Sequence, residues 1–159
     1  MPKDTSKRPS TPRLTNKKAR FNFEILEKIE AGIALKGTEV KSLRLGNASI
    51  GEAYARVDND QVTLHNFQIQ PYEQGNRFNH DPKRPKHLLL HRREIKKLAS
   101  KVQIRGQTLV PLKVYFNSRG MVKVELALAR GKTHRDKRHD ERKKEDKKEM
   151  TRALKRGGL

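Results

Sequence analysis

The stretch LVPLKVYFNSRGMVKVELALA, residues 109–129, decides the fold class. In its second half Val122, Val124, Leu126 and Leu128 fall on one face of an extended chain, and Lys123 points to the opposite face. Between the halves Asn117-Ser-Arg-Gly120 is turn chemistry, so the stretch reads as a hairpin of two strands. Pro111 lacks a backbone donor and is expected at a strand start or edge.

Upstream, Ala53-Tyr-Ala-Arg-Val57, the turn-like Asp58-Asn-Asp60 and Gln61 to Ile69 form another hairpin, with Val62, Leu64 and Asn66 set to share one side. Phe21 to Leu35 is rich in strand formers, and Gly32 inside it suggests a bulge or bend. Gly37 to Gly46 reads as a short helix, with Thr38 as cap, Glu39 in the first turn, Val40, Leu43 and Leu45 near one face, and Gly46 as the stop. Lys86 to Lys101 reads as a second helix. Leu88, Leu89, Ile95 and Leu98 form its partial stripe, and Lys86, Arg92, Arg93, Lys96 and Lys97 its polar face. Five or six short strands with two helices suit a mainly β fold, an OB-like antiparallel β-barrel with flanking helices, better than a parallel α/β sheet.

Both ends differ from this middle in charge. Of 38 basic and 18 acidic residues, Met1 to Lys18 carries six and one, and Lys132 to Leu159 carries twelve and six. Neither end has the apolar content to offset chain entropy. The expected organisation is a disordered basic N-terminal tail over 1–15, a barrel over 16–130 and a basic C-terminal tail over 131–159. The loop from Pro71 to Pro85 holds three prolines and Gly75, and is long enough to be mobile or functional.

A formal charge of +20 calls for a polyanionic partner, and nucleic acid is the first candidate. The absence of cysteine excludes disulfides, thiolate chemistry and cysteine zinc sites. No apolar run is long enough to span a bilayer, so a cytoplasmic protein without membrane contact is expected. Prolines at 2, 9 and 12 argue against the amphipathic helix of an organelle transit segment.

Catalytic signals are weak. His87 and His91, four apart with Glu94 one turn on, have the spacing of a two-histidine metal site but lack the paired glutamate. On so basic a helix, exposed histidines facing RNA are the simpler reading. His80-Asp81 lies on a Pro-rich loop with no identifiable nucleophile, and Glu30 and Glu39 are not paired by spacing. The single glycines at 106, 120 and 131 make no phosphate-cradling loop. Binding rather than catalysis is expected, with no catalytic residue, metal or cofactor. Phe21, Phe23, Tyr72 and Phe78 could stack on bases, although the core also needs aromatics.

Five runs remain to be read together: Asn16-Lys-Lys-Ala19, Glu30-Ala-Gly-Ile-Ala-Leu-Lys-Gly-Thr-Glu-Val-Lys-Ser-Leu-Arg44, Asp81-Pro82 through His87-Leu-Leu-Leu-His91, Val110-Pro-Leu112, and Gly131-Lys132 with Asp136-Lys-Arg138. In this order they resemble the small protein B family of SsrA-binding proteins, partners of tmRNA in trans-translation. The resemblance implies an OB-type barrel that binds the tRNA-like domain of tmRNA, where the protein stands in for an anticodon arm and the ribosome supplies all catalysis. It implies a tmRNA-binding surface of Asn16, Lys17, Ala19, Glu30, Leu89 and Lys123. Glu30, which repels phosphate, could accept hydrogen bonds from base N–H groups or orient a neighbouring lysine.

The resemblance further implies that the tail is unstructured when free. On the ribosome it reaches the decoding centre through Gly131, Lys132, His134, Arg135, Asp136, Lys137 and Arg138, then becomes helical in the mRNA channel against small-subunit rRNA. The residue before Asp136 is often aromatic or histidine in the family. Here it is Arg135, whose guanidinium can also stack on a base. A structural ribosomal protein, or a small nuclease using His87 and His91, would be the competing readings.

Overall fold

A computed structural model describes residues 11–73 and 81–158. The start of the N-terminal tail, Phe78 and His80 lie outside the described residues. In chain order the elements are β1 (Leu14–Thr15), α1 (Lys17–Asn22), β2 (Phe23–Ile33), α2 (Gly37–Arg44), β3 (Ala48–Ser49), β4 (Tyr54–Asp58) and β5 (Gln61–His65). They continue with β6 (Gln68–Ile69), β7 (Lys86–Leu89), α3 (Arg92–Val102), β8 (Gln107–Phe116), β9 (Val122–Gly131) and α4 (His134–Gly157).

The last hairpin forms as its alternation predicts. β8 and β9 pair antiparallel from Gln107↔Arg130 to Phe116↔Val122. The Asn117 side-chain oxygen holds the turn, accepting from the N–H groups of Arg119 (3.0 Å) and Met121 (2.9 Å), and Gly120 takes the left-handed φ of 78°. β9 then pairs β2 on its other side, from Phe23↔Gly131 to Gly32↔Lys123. With the order β1-β8-β4-β5-β7-β2-β9 and the further β8–β9 pairing, the sheet closes into an all-antiparallel, OB-like ring, with β1 added at β8. β3 and β6 form a separate small pair.

Inward-facing residues fill the ring. Val122, Val124, Leu126 and Leu128 are buried together with Ala31, Val62, Leu64, Phe67, Leu88 and Leu109. At one end the outer face is buried too, because α1 covers it: Ala19, Val110, Leu112, Ala127 and Ala129 form a second cluster against Phe23 and Ile25. This explains why the alternation of β9 gives way to continuous burial from Leu126 to Ala129.

Several local expectations are corrected. The run 86–101 is not one helix: it divides into strand β7 and helix α3, with His91 as the α3 N-cap. Lys86 and Leu88 face inward and His87 and Leu89 outward, so a leucine run compatible with either period resolves as a strand. Phe21 and Asn22 belong to α1, not to the strand after it. The irregularity in β2 falls between Ile25 and Glu27, while Gly32 sits in regular pairing. The α2 cap is Lys36, whose N–H is accepted by Glu39 at 2.8 Å, and Leu45 is exposed while Leu43 is buried. Asn66 takes φ 58° and turns outward, which shifts the alternation so that Phe67 and Ile69 are buried. Pro111 lies inside β8, beside a register shift between Pro111 and Lys113. Leu14 and Thr15, placed in the tail by a boundary at 16, pair with Val114 and Lys113.

Candidate nucleic-acid interface

The register of β2 with its two neighbours builds one candidate surface. Gly32 lies opposite Leu89 of β7 and opposite Lys123 of β9, so Leu89, Gly32 and Lys123 stand in line across three strands. Leu89 is 59% exposed, an unusual place for a large aliphatic side chain. A Cβ at position 32 would come within 3.2 Å of the Leu89 Cβ, and the missing side chain leaves a notch that Leu89, Lys123 and Met121 border. Glu30, two residues back along β2 and so on the same face, is exposed. Three of the residues assigned to an RNA surface by resemblance, Glu30, Leu89 and Lys123, are therefore neighbours.

The two carboxylates on this face have different partners. Glu125, opposite Glu30 in the ladder, is approached by Lys28 at 3.4 Å and Lys113 at 3.9 Å. Glu30 accepts a hydrogen bond from the hydroxyl of Tyr115, a strand neighbour of Lys123. That bond to a carboxylate, with burial second, pushes the Tyr115 phenol up to about 12.

Asn16, Lys17 and Ala19 occupy the other end of the ring. Asn16 is buried: its amide donates to the carbonyls of Ile50 and Pro111, both at 3.1 Å, and its side-chain oxygen caps α1 through the Ala19 N–H at 3.0 Å. Ala19 is buried against β8 and β9. Neither presents a side chain to a ligand, whereas Lys17, Lys18 and Arg20 on the same short helix are exposed. Asn16 and Ala19 thus set the position of a basic turn. The two groups of site residues are separated along β9 by the eight positions from Lys123 to Gly131, about 26 Å of strand.

The segment after Gly131, expected to lack structure when free, is the helix α4 here. Thr133 caps it: its hydroxyl accepts from the Asp136 N–H at 3.3 Å, and the Asp136 carboxylate accepts from the Thr133 N–H at 3.2 Å. The Thr133 hydroxyl also donates to the Asp136 carboxylate at 2.7 Å, and this bond first, with the one from the Thr133 N–H second, holds the Asp136 carboxyl below its ordinary value. His134, Arg135, Asp136 and Arg138 are exposed. The Lys132 ammonium bonds the Asp140 carboxylate and the carbonyl of Arg20, and the Lys132 backbone N–H donates to the carbonyl of Asn22 at 2.9 Å. The ammonium groups of Lys137 and Lys144 lie 5.7 and 5.9 Å from the centre of the Phe21 ring. α4 itself buries no residue.

Pattern reading missed two features. Tyr54 and His65 stack across β4 and β5 with ring centres 5.3 Å apart, which only the hairpin register reveals. Behind the sheet, Glu39 and Lys86 are fully buried. The Glu39 carboxylate accepts from the Arg84 guanidinium at 2.5 Å and faces the Lys86 ammonium at 3.7 Å. Lys86 also donates to the carbonyls of Phe67 (2.8 Å) and Arg84 (2.7 Å). This network ties α2 to the chain entering β7. His87 and His91 lie on a strand and a cap rather than one helix face, and no cluster of three or more potential ligands occurs among the described residues. No helix among them is long and apolar enough to cross a membrane.

This geometry can be set beside known proteins. The chain is 56% identical over 139 residues to the SsrA-binding protein of Desulforamulus reducens, covering 87% of this chain and 86% of the relative. It is 52% identical over 155 residues to that of Bradyrhizobium diazoefficiens, covering 98% and 99%. A solved chain described as "tmRNA-SmpB: a journey to the center of the bacterial ribosome" superposes with a TM-score of 0.66 at 54% identity, over 77% of this chain and 86% of that one. The profile of the SmpB protein family matches residues 13–156, from just before β1 almost to the end of α4, and the chain belongs to that family.

Proposed function

We propose that the chain binds tmRNA and delivers it to stalled ribosomes for trans-translation. The observation that carries this reading is the alignment of Leu89, Gly32 and Lys123 across three strands, with Glu30 beside them, in a chain of this family. Lys123 takes a phosphate, Leu89 packs against a sugar or base, and Glu30 meets a base edge rather than the backbone. At the far end of β9 the basic turn of Lys17, held by Asn16 and Ala19, gives a second contact with the tRNA-like domain.

The tail does a different job. With no buried residue, α4 lacks the packed apolar face from which most helices in proteins draw their stability. In the message channel of a stalled ribosome, rRNA phosphates surround its eleven basic residues and hold it as a helix, with Gly131 to Arg138 at the decoding centre. The barrel is then the binding unit over 16–130 and 131–159 the ribosome-reading unit. The protein works in the cytoplasm, and peptidyl transfer is left to the ribosome.

Truncation after Gly131 tests this division. The shortened protein should bind tmRNA at close to full affinity yet fail to support tagging on stalled ribosomes. Loss of tmRNA binding in that variant would overturn it. Lys123→Ala should weaken tmRNA binding and reduce the slope of log K against log salt by about one unit, the signature of one lost phosphate contact.

A further inference from the structure

On a surface that meets phosphates, a carboxylate costs affinity unless something uses it. Glu30 and Glu125 face each other across β2 and β9, and the structure treats them differently. Two lysines approach Glu125. Among the described residues no ion pair engages Glu30, whose Oε2 is held by the hydroxyl of Tyr115 instead. Tyr115 reaches Glu30 from β8, over β9, where Lys123 is its direct strand neighbour. Phenol and ammonium thus stand side by side on the adjacent strands β8 and β9, with Glu30 on β2 beyond them.

We propose that Tyr115 is a positioning residue for RNA recognition: it fixes the Glu30 carboxylate so that the second oxygen accepts an N–H from a base while Lys123 engages the adjoining backbone. Resting on the tmRNA reading above, the proposal explains why a negative group sits among basic ones. A neutral hydroxyl orients Glu30 without neutralising it, which a lysine partner would not do, and a carboxylate accepts from a base amino group more strongly than a neutral oxygen. The raised phenol pKa keeps the hydroxyl a donor across the working pH range.

The test is a set of binding curves for the isolated tRNA-like domain of tmRNA, read by fluorescence anisotropy at several salt concentrations. The variants are Tyr115→Phe, Glu30→Gln, Glu30→Ala, Lys123→Ala and the Tyr115→Phe/Glu30→Ala double, each checked for folding by its melting curve. Tyr115→Phe should weaken binding by roughly tenfold, the equivalent of one hydrogen bond to a charged group, without changing the salt slope. Glu30→Gln should also weaken binding, and the double variant should be no weaker than Glu30→Ala. Unchanged affinity in Tyr115→Phe, additive losses in the double, or tighter binding by Glu30→Gln, as relief of phosphate repulsion requires, would each overturn the proposal. Failure of the unaltered protein to bind the RNA would instead defeat the tmRNA reading, so the two failures are distinguishable.

Discussion

Glu39 shows how one residue can hold two distant parts of the chain together. Burial alone would raise its pKa. The Arg84 bond, the Lys36 N–H and the charges of Arg84 and Lys86 outweigh that, and the carboxyl is held below its ordinary 4.5. Because its folded pKa is depressed, its contribution to stability is complete above the unfolded value. That contribution is lost as pH falls through the folded one, so it disappears only in acid, below the ordinary value of 4.5. Glu39→Gln leaves the buried Lys86 ammonium without its counter-charge, and urea unfolding at pH 7 should show a loss of about 3–5 kcal/mol. The sequence placed Glu39 correctly in the first turn of a helix. Its burial was not legible, because its partner Arg84 lies 45 positions downstream. Lys86 meanwhile read as one more cation on a helix face. Asn16 was hidden in the same way: two of its three side-chain bonds go to Ile50 and Pro111, which only the closed ring brings to it.

Among the elements, the hairpins β4–β5 and β8–β9 were readable because alternation and turn chemistry are local. The β7–α3 boundary was not, since Leu88, Leu89 and Leu90 satisfy a strand and a helix equally and the choice is made by pairing with β5 and β2. For α4 the readable part was the absence of Gly and Pro from 136 to 154. The part that escaped notice was its mounting on α1 through Lys132, Asp140 and the Phe21 ring. Thr133→Ala removes the capping oxygen and should cost about 1 kcal/mol of helix stability, seen as weaker circular dichroism at 222 nm and earlier thermal loss of that signal. Asp140→Asn should loosen the mounting. Spin labels on α1 and on the second turn of α4 should then report a broader distance distribution, while the barrel's melting temperature stays put.

At the scale of the molecule, strand number and charge were enough to anticipate a basic OB-like ring. The grouping of Glu30, Leu89 and Lys123 was not, since it follows from registers among strands far apart in sequence. The ring is shut by its last strand: β9 pairs both β2 and β8 and supplies Val124, Leu126, Ala127 and Ala129 to the two cores. A chain ending at Gly120 should therefore fail to fold and should aggregate, as light scattering during refolding would show, whereas one ending at Gly131 should fold without aggregating. During synthesis the same dependence sets an order of events. Everything before residue 122 leaves the translating ribosome with β2 and β8 as unpaired edges, ready templates for another chain, and the domain closes only when its final strand emerges. An incomplete copy of this protein is thus the kind of aggregation-prone fragment that the tagging of unfinished peptides removes.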